Sequence, residues 1–260
     1  QPQVDRAAAI ALRRVVIVGD GVAGMGVAEA LRRASPSVKI DIVGNEPHDF
    51  YNRMGIGRLI YDGEGMQALK LVPDDWAVRQ DVTPWRGRVA GRIDREAREL
   101  VLAKVEGGRM VEGERLPYDK LVLATGARST PPDAAFLSHP NAFVLRSADD
   151  ARAIRSYVQR RKAQRALVVG GGVLGVEAAD ALHKLGLKVT LLQRADRLMN
   201  QQLDEAGAAK LQGYLESIGL QVLTRTSVTK YEGQPQLQAA WLSHGPRVRA
   251  DVFVAALGIK

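Results

Sequence analysis

The 260-residue chain contains no cysteine. That absence excludes disulfides, thiolate metal sites, iron–sulfur ligation by this chain and a redox-active cysteine pair. Histidine is scarce too: His48, His139, His183 and His244 are scattered without ligand-like spacing, so no metal site is expected. No apolar run approaches the ~20 residues that span a bilayer. The stretch from Gln1 to Arg14 lacks the apolar core and cleavage site of a signal peptide. The expectation is a cytoplasmic protein with no membrane partner, and an opening Gln1 in place of Met reads as processing or trimming. Acidic residues are outnumbered, 29 against 37 basic, for a net charge of +8. The basic run Arg160-Arg161-Lys162-Ala163-Gln164-Arg165 has no interleaved aromatics, so nucleic acid is not an expected partner. A basic surface without a special role accounts for the excess better than a docking face for an acidic partner.

What is present is a globular composition, 46% apolar and 25% charged, long enough for two domains. Two glycine-rich fingerprints stand out. The first is Val15-Val16-Ile17-Val18-Gly19-Asp20-Gly21-Val22-Ala23-Gly24, and the second is Ala166-Leu167-Val168-Val169-Gly170-Gly171-Gly172-Val173-Leu174-Gly175. Each reads as an apolar strand, a tight turn and a helix start, the unit that binds a dinucleotide pyrophosphate. Gly19 and Gly170 permit the turn, Gly21 and Gly172 admit the phosphates, and Gly24 and Gly175 let helix and strand pack closely. Two such sites imply two nucleotides, with hydride transfer between them as the obvious use.

The pattern predicts a helix over 22–34 with Val22, Met25, Ala28 and Leu31 on one face, then a strand over 38–43. Residues 48–86 read as irregular, 89–105 as alternating strands, and 119–124 as a buried strand. The proline-bearing stretch 127–142 is the linker candidate. Beyond it come a helix over 149–161, a strand over 167–169, a helix over 173–185, a strand over 188–192, a helix over 203–218 and strands within 221–257. The fold class expected is α/β, with two Rossmann-like three-layer domains over 12–135 and 143–258.

After the first unit's second strand, Glu46 is placed to accept from a ribose, with Asn45 as its competitor and a plain surface carboxylate as the alternative. After the second unit's second strand stand Gln193 and Arg194. An acid there would hold a free ribose and repel a 2′-phosphate. Gln193 removes that repulsion, and Arg194 either pairs with the phosphate or points to solvent, which leaves NADH against NADPH open.

Four features in order carry a resemblance: the fingerprint at 19–24, Tyr118-Asp119-Lys120-Leu121-Val122-Leu123-Ala124-Thr125-Gly126, the fingerprint at 170–175 with Glu177, and Val252-Phe253-Val254-Ala255-Ala256-Leu257-Gly258. Together they resemble the pyridine nucleotide–disulfide oxidoreductase superfamily over residues 14–260. Asn45-Glu46-Pro47 with Tyr51-Asn52-Arg53 is similar to the flavin domains of NAD(P)H-dependent nitrite reductases and to rubredoxin or ferredoxin reductases, and Arg197 to Asp204 resembles the nitrite reductase stretch particularly. Without cysteine, a dithiol relay is ruled out.

The resemblance implies FAD and NAD(P)H as cofactors. It implies that Gly19, Gly21, Val22, Ala23 and Gly24 hold the FAD pyrophosphate, with Glu46 near the adenosine ribose and Arg53 as a clamp. Arg88 and Val89 would meet adenine through their backbone, and Ala124, Thr125 and Gly126 would line the cleft. Gly170, Gly172, Val173, Leu174 and Gly175 would hold NAD(P), and Gly258 would close that site. Arg58 would sit near flavin N5 and Glu177 near the nicotinamide. Their competing roles are a surface arginine and a first-turn acid favoured by the helix dipole.

The implied function is hydride passage from NAD(P)H to FAD. Electrons would then pass to an iron–sulfur, rubredoxin-like or haem acceptor on another domain or protein. The alternatives are an NAD(P)H oxidase or quinone reductase with no protein acceptor, or a non-catalytic nucleotide-binding subunit. The resemblance also implies a third Gly-Asp motif and an interface domain that this sequence does not contain. The FAD domain is therefore expected to be incomplete, with an exposed apolar edge, and a homodimer is expected only if that interface domain exists.

Overall fold

The computed structural model describes residues 12–63 and 65–259. Residues 1–11, part of the stretch read above for a signal segment, lie outside the described residues. The chain divides into two compact units. One takes in the chain up to Tyr51 together with Lys70–Gly126, and the other takes in Asn52–Leu69 and the chain from Ala127 on.

The first unit is built on β1 (Arg14–Val18), α1 (Val22–Ala34), β2 (Lys39–Val43), β3 (Val82–Trp85), β4 (Val89–Asp94), β5 (Glu99–Glu106), β6 (Arg109–Pro117) and β7 (Lys120–Leu123). Strands β3, β2, β1 and β7 form one parallel sheet in that order. The run Val15-Val16-Ile17-Val18 is apolar throughout because both faces of the sheet are covered. Val15 and Ile17 pack with Met25 and Ala28 of α1, whereas Val16 and Val18 pack with Leu100, Leu102 and Leu116 of the antiparallel sheet β4-β5-β6. The three layers are helix, parallel sheet and antiparallel sheet. Each fully buried side chain of this size contributes roughly 1.5–3 kcal/mol.

Asp41 is fully buried in the middle of β2. Its carboxylate accepts from Arg14 Nε at 2.8 Å, Arg14 Nη2 at 3.2 Å and Trp85 Nε1 at 2.9 Å, which ties β1, β2 and β3 together.

Three differences from the sequence reading appear here. Strand β3 lies in the stretch read as irregular. Its Pro84 argues against a strand interior, but β3 is an edge strand, where proline is tolerated. Strand β7 is also an edge and is not fully buried: Leu123 is 63% exposed. Strand β6 was not expected, since its side chains are almost all exposed and do not alternate. It is fixed by a two-residue hairpin turn at Gly107-Gly108, both with positive φ.

The second unit contains β8 (Ala142–Val144), α2 (Ala148–Arg161), β9 (Arg165–Val169), α3 (Val173–Lys184), β10 (Lys188–Leu192), α4 (Glu205–Ser217), β11 (Gln221–Leu223), β12 (Val228–Glu232), β13 (Ala239–Leu242), β14 (Val248–Arg249) and β15 (Val252–Ala255). Its five-stranded parallel sheet runs β11-β10-β9-β15-β8. Leu167, Val169, Phe253 and Ala255 pack against Ala240 and Leu242 of the antiparallel sheet β12-β13-β14, the same layering as in the first unit. The proline-bearing stretch 127–142 belongs to this unit and delivers the short strand β8.

Segment Asn52–Leu69 is counted with the second unit, which corrects the continuous first domain expected over 12–135. Its one-turn α-helix, Arg58–Tyr61, packs on α2 and α3 with Leu59 and Ile60 buried. Arg155 of α2 fastens it by donating to the carbonyls of Ile60 at 3.3 Å and Asp62 at 2.6 Å.

One device is repeated in both units. Asp119, just before β7, accepts from the backbone N–H groups of Arg13 and Arg14 at the start of β1, at 2.8 and 2.7 Å. Asp251, just before β15, accepts from those of Gln164 and Arg165 at the start of β9, both at 3.0 Å. Backbone hydrogen bonds from Arg14 and Arg13 hold the Asp119 carboxyl below its ordinary value. Burial pushes Asp251 up, but its hydrogen bonds with Gln164 and Arg165 outweigh that and its carboxyl also lies low. Each aspartate registers a neighbouring parallel strand, the edge strand β7 or the interior strand β15, against the strand that carries a fingerprint.

Candidate functional site

The two fingerprints fold into nearly the same backbone. Gly19 has φ +111° and Gly170 φ +114°. A Cβ at either would fall on a carbonyl oxygen, that of Ala124 or Ala256. A Cβ at Gly24 or Gly175 would run into the carbonyl of Gly19 or Gly170. Only glycine fits these four positions, so helix and strand meet as closely as a pyrophosphate turn requires. Gly19 N–H donates to Val43 at 2.8 Å and Gly170 N–H to Leu192 at 2.9 Å, which pins each turn to the end of the neighbouring strand.

Gly21 and Gly172 differ from the other four. A Cβ at either would meet nothing within 4 Å, so the space beside each helix start is open. Both are N-caps with extended backbone, and neither α1 nor α3 has a side-chain cap or an acid in its first turn. Helices α2 and α4 are built otherwise. Ser147 caps α2 in a capping box with Asp150, and Asp204 caps α4 by accepting from Gly207 N at 2.8 Å. A bare helix start presents N–H donors and partial positive charge to an anion. Val22 belongs here too: expected on the buried face of α1, it is 77% exposed in the first turn, beside Ala23, which is also exposed. Val173 and Leu174 take the matching places on α3 and are exposed and half-buried.

Around the first turn, Glu46 follows β2 and its carboxylate accepts from the Tyr51 hydroxyl at 2.7 Å, while Asn45 is exposed. The carboxylate of Asp20, which the sequence reading passed over, lies against Cα of Gly44, leaving no room there for a Cβ. Arg88 spends its backbone N–H on Gly44 at 3.0 Å and pairs with Glu114 at 3.2 Å, so only the remaining backbone groups at Arg88 and Val89 can serve a base. Ala124 N–H donates to Val18 at 2.7 Å, and Thr125 and Gly126 are exposed.

Around the second turn, Gln193 is buried. Its Oε1 accepts from Gly171 N at 3.3 Å, and its Nε2 donates to the Arg197 carbonyl at 3.2 Å and to Asn200 Oδ1 at 3.3 Å. A Cβ at Gly171 would sit 2.6 Å from Leu198 Cδ2, so the loop after β10 closes directly over the turn. Arg194 is exposed. Gly258 is exposed, has φ +114°, and accepts from Thr130 N at 3.1 Å.

Arg53 and Arg58 fall in the segment carried by the second unit. Arg58 pairs with Asp62 at 3.4 Å and its side chain is about half exposed. The preceding Gly57 is close to α3: a Cβ there would lie 3.8 Å from the Glu177 carbonyl. The fold thus brings Arg58 and Glu177 into one neighbourhood although they are far apart in sequence. Glu177 is the fifth residue of α3, past the first turn, so the dipole role weighed for it does not apply. Burial pushes its carboxyl above the ordinary value. Among the described residues, no three or more His, Asp or Glu side chains gather to hold a metal, and no helix is long and apolar enough to cross a membrane.

Two glycine-turned, uncapped helix starts at the carboxyl ends of parallel strands define a protein with two dinucleotide-binding units. The chain belongs to the pyridine nucleotide-disulphide oxidoreductase family, whose pattern matches residues 13–260. The cofactors of this family are FAD and NAD(P)H. The chain is 30% identical over 244 residues to the ferredoxin–NAD(+) reductase component of the biphenyl dioxygenase system of Paraburkholderia xenovorans, covering 94% of this chain and 57% of the relative. It is 30% identical over 251 residues to the NADH nitrite reductase large subunit of Escherichia coli, covering 95% and 28%. Among solved structures, it matches an NAD-dependent persulfide reductase from A. fulgidus (TM-score 0.84, 29% identity, 95% of this chain and 46% of that one). It also matches the reductase in a covalent putidaredoxin reductase–putidaredoxin complex (TM-score 0.81, 29% identity, 95% and 58%). The chain therefore spans about half the length of such relatives, and less of the nitrite reductase.

Proposed function

We propose that this chain is the nucleotide-binding part of an FAD-dependent NAD(P)H oxidoreductase that feeds electrons to an iron–sulfur, rubredoxin-like or haem acceptor on another domain or protein. The observation that carries the reading is the contrast among the four long helices of the described residues: the two that follow glycine turns have bare N-termini beside open space, and the other two are capped by their own side chains.

The residues present fit the two cofactors. Gly19, Gly21, Val22, Ala23 and Gly24 would hold the FAD pyrophosphate, with Glu46, fixed by Tyr51, accepting from the ribose. Arg88, Val89, Ala124, Thr125 and Gly126 would complete that set. Gly170, Gly172, Val173, Leu174 and Gly175 would hold the NAD(P) phosphates, with Gln193, Arg194 and Gly258 around them. When bound, these cofactors supply hydride transfer from nicotinamide to flavin and onward release of electrons. The protein would supply anion binding at two helix starts, exclusion of bulk by glycine, and charge: Arg58 would offset negative charge, and Glu177, whose carboxyl burial pushes up, would stay uncharged more readily than an exposed glutamate. No side chain need act as a general acid or base. The relatives that are ferredoxin–NAD(+) reductase components support a protein acceptor, and the absence of cysteine means that this chain cannot itself ligate an iron–sulfur cluster through thiolates.

The test is an absorption spectrum after reconstitution with FAD, before and after anaerobic NADH or NADPH. Flavin bands that bleach on adding nucleotide support the reading. Steady oxygen uptake with NAD(P)H alone would favour an oxidase over a protein acceptor. FAD bound but never reduced would make the chain a binding subunit.

A further inference from the structure

We infer that the second nucleotide site selects a 2′-phosphorylated adenosine, as in NADPH, through two arginines contributed by adjacent strands, Arg194 after β10 and Arg225 after β11. The inference rests on the reading of the second fingerprint as a nucleotide site, and it names the substrate class of that site.

Three cations, Arg194, Arg197 and Arg225, follow the carboxyl ends of β10 and β11, and the structure separates their roles. Arg197 is occupied. It pairs with Asp196 at 3.2 Å and donates to the carbonyls of Leu203 at 3.3 Å and Asn200 at 3.4 Å, so it shapes the loop over the turn. Arg194 and Arg225 are both exposed and carry no ion pair among the described residues. They are neighbours in space although 31 residues separate them (225 − 194). Arg225 N–H donates to the Ala195 carbonyl at 2.8 Å, and Thr226 N–H donates to Gln193 at 3.0 Å. The two short hydrogen bonds lock the loop after β11 alongside the residues that end β10.

That place is next to the phosphate turn. Gly170 N–H is bonded to Leu192, the last residue of β10, and Gly171 N–H to the side chain of Gln193. In a Rossmann unit the residue just past the second strand meets the adenosine ribose, where an acid favours a free 2′-hydroxyl and an arginine favours a phosphate. Here the position has a buried neutral amide turned inward, a carboxylate, Asp196, that is engaged by Arg197, and two exposed guanidinium groups. Arg225 holds φ +52°, an unusual conformation for a long side chain, fixed by its bond to Ala195.

The experiment is calorimetric titration of the chain with ADP-ribose and with 2′-phospho-ADP-ribose, with no flavin needed for the readout. The expected result is a preference for the 2′-phosphorylated ligand of tenfold or more, as an order of magnitude for charge-assisted hydrogen bonds, that shrinks as salt is raised. Arg194→Gln and Arg225→Asn, the latter chosen because asparagine tolerates positive φ, should each reduce the ratio of the two affinities about tenfold. The ratio is unaffected by a general loss of folded protein. Equal affinity for the two ligands in the wild-type chain, or a ratio unmoved in both variants, overturns the two-arginine site. Binding of neither ligand overturns the nucleotide reading of the second fingerprint itself.

Discussion

Set side by side, the two units share a frame and differ at its ends. Gly19 and Gly170, Gly24 and Gly175, and Asp119 and Asp251 hold matching positions and perform matching work. Where the frame meets the rest of a nucleotide, the units part. The first places Glu46, held by Tyr51, after its second strand. The second places an inward Gln193 followed by exposed Arg194. Their interiors differ too: at the third position of the second strand, the first unit buries Asp41 in an ion pair, whereas the second has Thr190, whose hydroxyl donates to Gln221 at 2.9 Å. The phosphate turn is set by backbone sterics and so is conserved between the units. The strand ends are set by side chains and so are free to select different cofactors.

The largest effects should come from breaking the shared frame in one unit at a time. Gly175→Val places a side chain on the Gly170 carbonyl and should cost about 3 kcal/mol or more, with hydrogen exchange rising in β9 and β10 and not in β1 and β2. Gly24→Val should show the reverse pattern. Loss of protection in the same strands for both variants would mean that the turns do not act within their own units.

Next comes the interior difference. Asp41→Ala leaves Arg14 and Trp85 without their acceptor and should destabilise by roughly 3 kcal/mol in denaturant titration, as expected when one partner of a buried pair is removed. Thr190→Val removes one neutral hydrogen bond and should cost about 1 kcal/mol or less. Equal costs would sink the claim that the first unit's sheet depends on a charged centre.

A pH comparison sharpens the shared aspartates. Asp119 and Asp251 both titrate below the ordinary 3.8 in the folded chain. Their contribution is therefore present above that value and is lost as pH falls through the lower folded values. Asp119→Asn and Asp251→Asn should each be less stable than wild type near neutrality, and the gap should close in strong acid. A gap that persists unchanged in acid would show that the carboxylate charge is not what registers the strands.

The smallest effect concerns Glu177. Burial raises its folded value above the ordinary 4.5, so ionisation weighs against the fold at neutral pH and not in acid. Glu177→Gln should be slightly more stable than wild type near neutrality and equal to it in acid, as read by thermal unfolding at both pH values. Destabilisation at neutral pH would indicate a partner for the carboxylate instead.

The frame was legible in the sequence because steric rules write it directly: β-branched runs, glycine at fixed offsets and helical spacing. Features set by tertiary context were not. Strand β3 carries Pro84, which reads as a breaker unless the strand is known to lie at an edge. Strand β8 is three residues long after Pro140. Segment Asn52–Leu69 gives no local sign that its apolar residues are buried on α2 and α3. Arg225 carries no motif at all, and its place beside Ala195 arises from parallel pairing of β10 with β11.

The most direct test of the account is a crossed binding experiment on two substitutions that add no clash. Gly21→Asp and Gly172→Asp each put a carboxylate into open space at a helix start, where it would cap the helix and repel a pyrophosphate. FAD binding is followed by flavin fluorescence and 2′-phospho-ADP-ribose binding by calorimetry. The account predicts that Gly21→Asp loses FAD affinity by roughly a hundredfold and keeps the second ligand, that Gly172→Asp does the opposite, and that neither variant unfolds more easily than wild type. If either variant lost both ligands while remaining folded, or kept both, the assignment of one cofactor to each helix start would be contradicted.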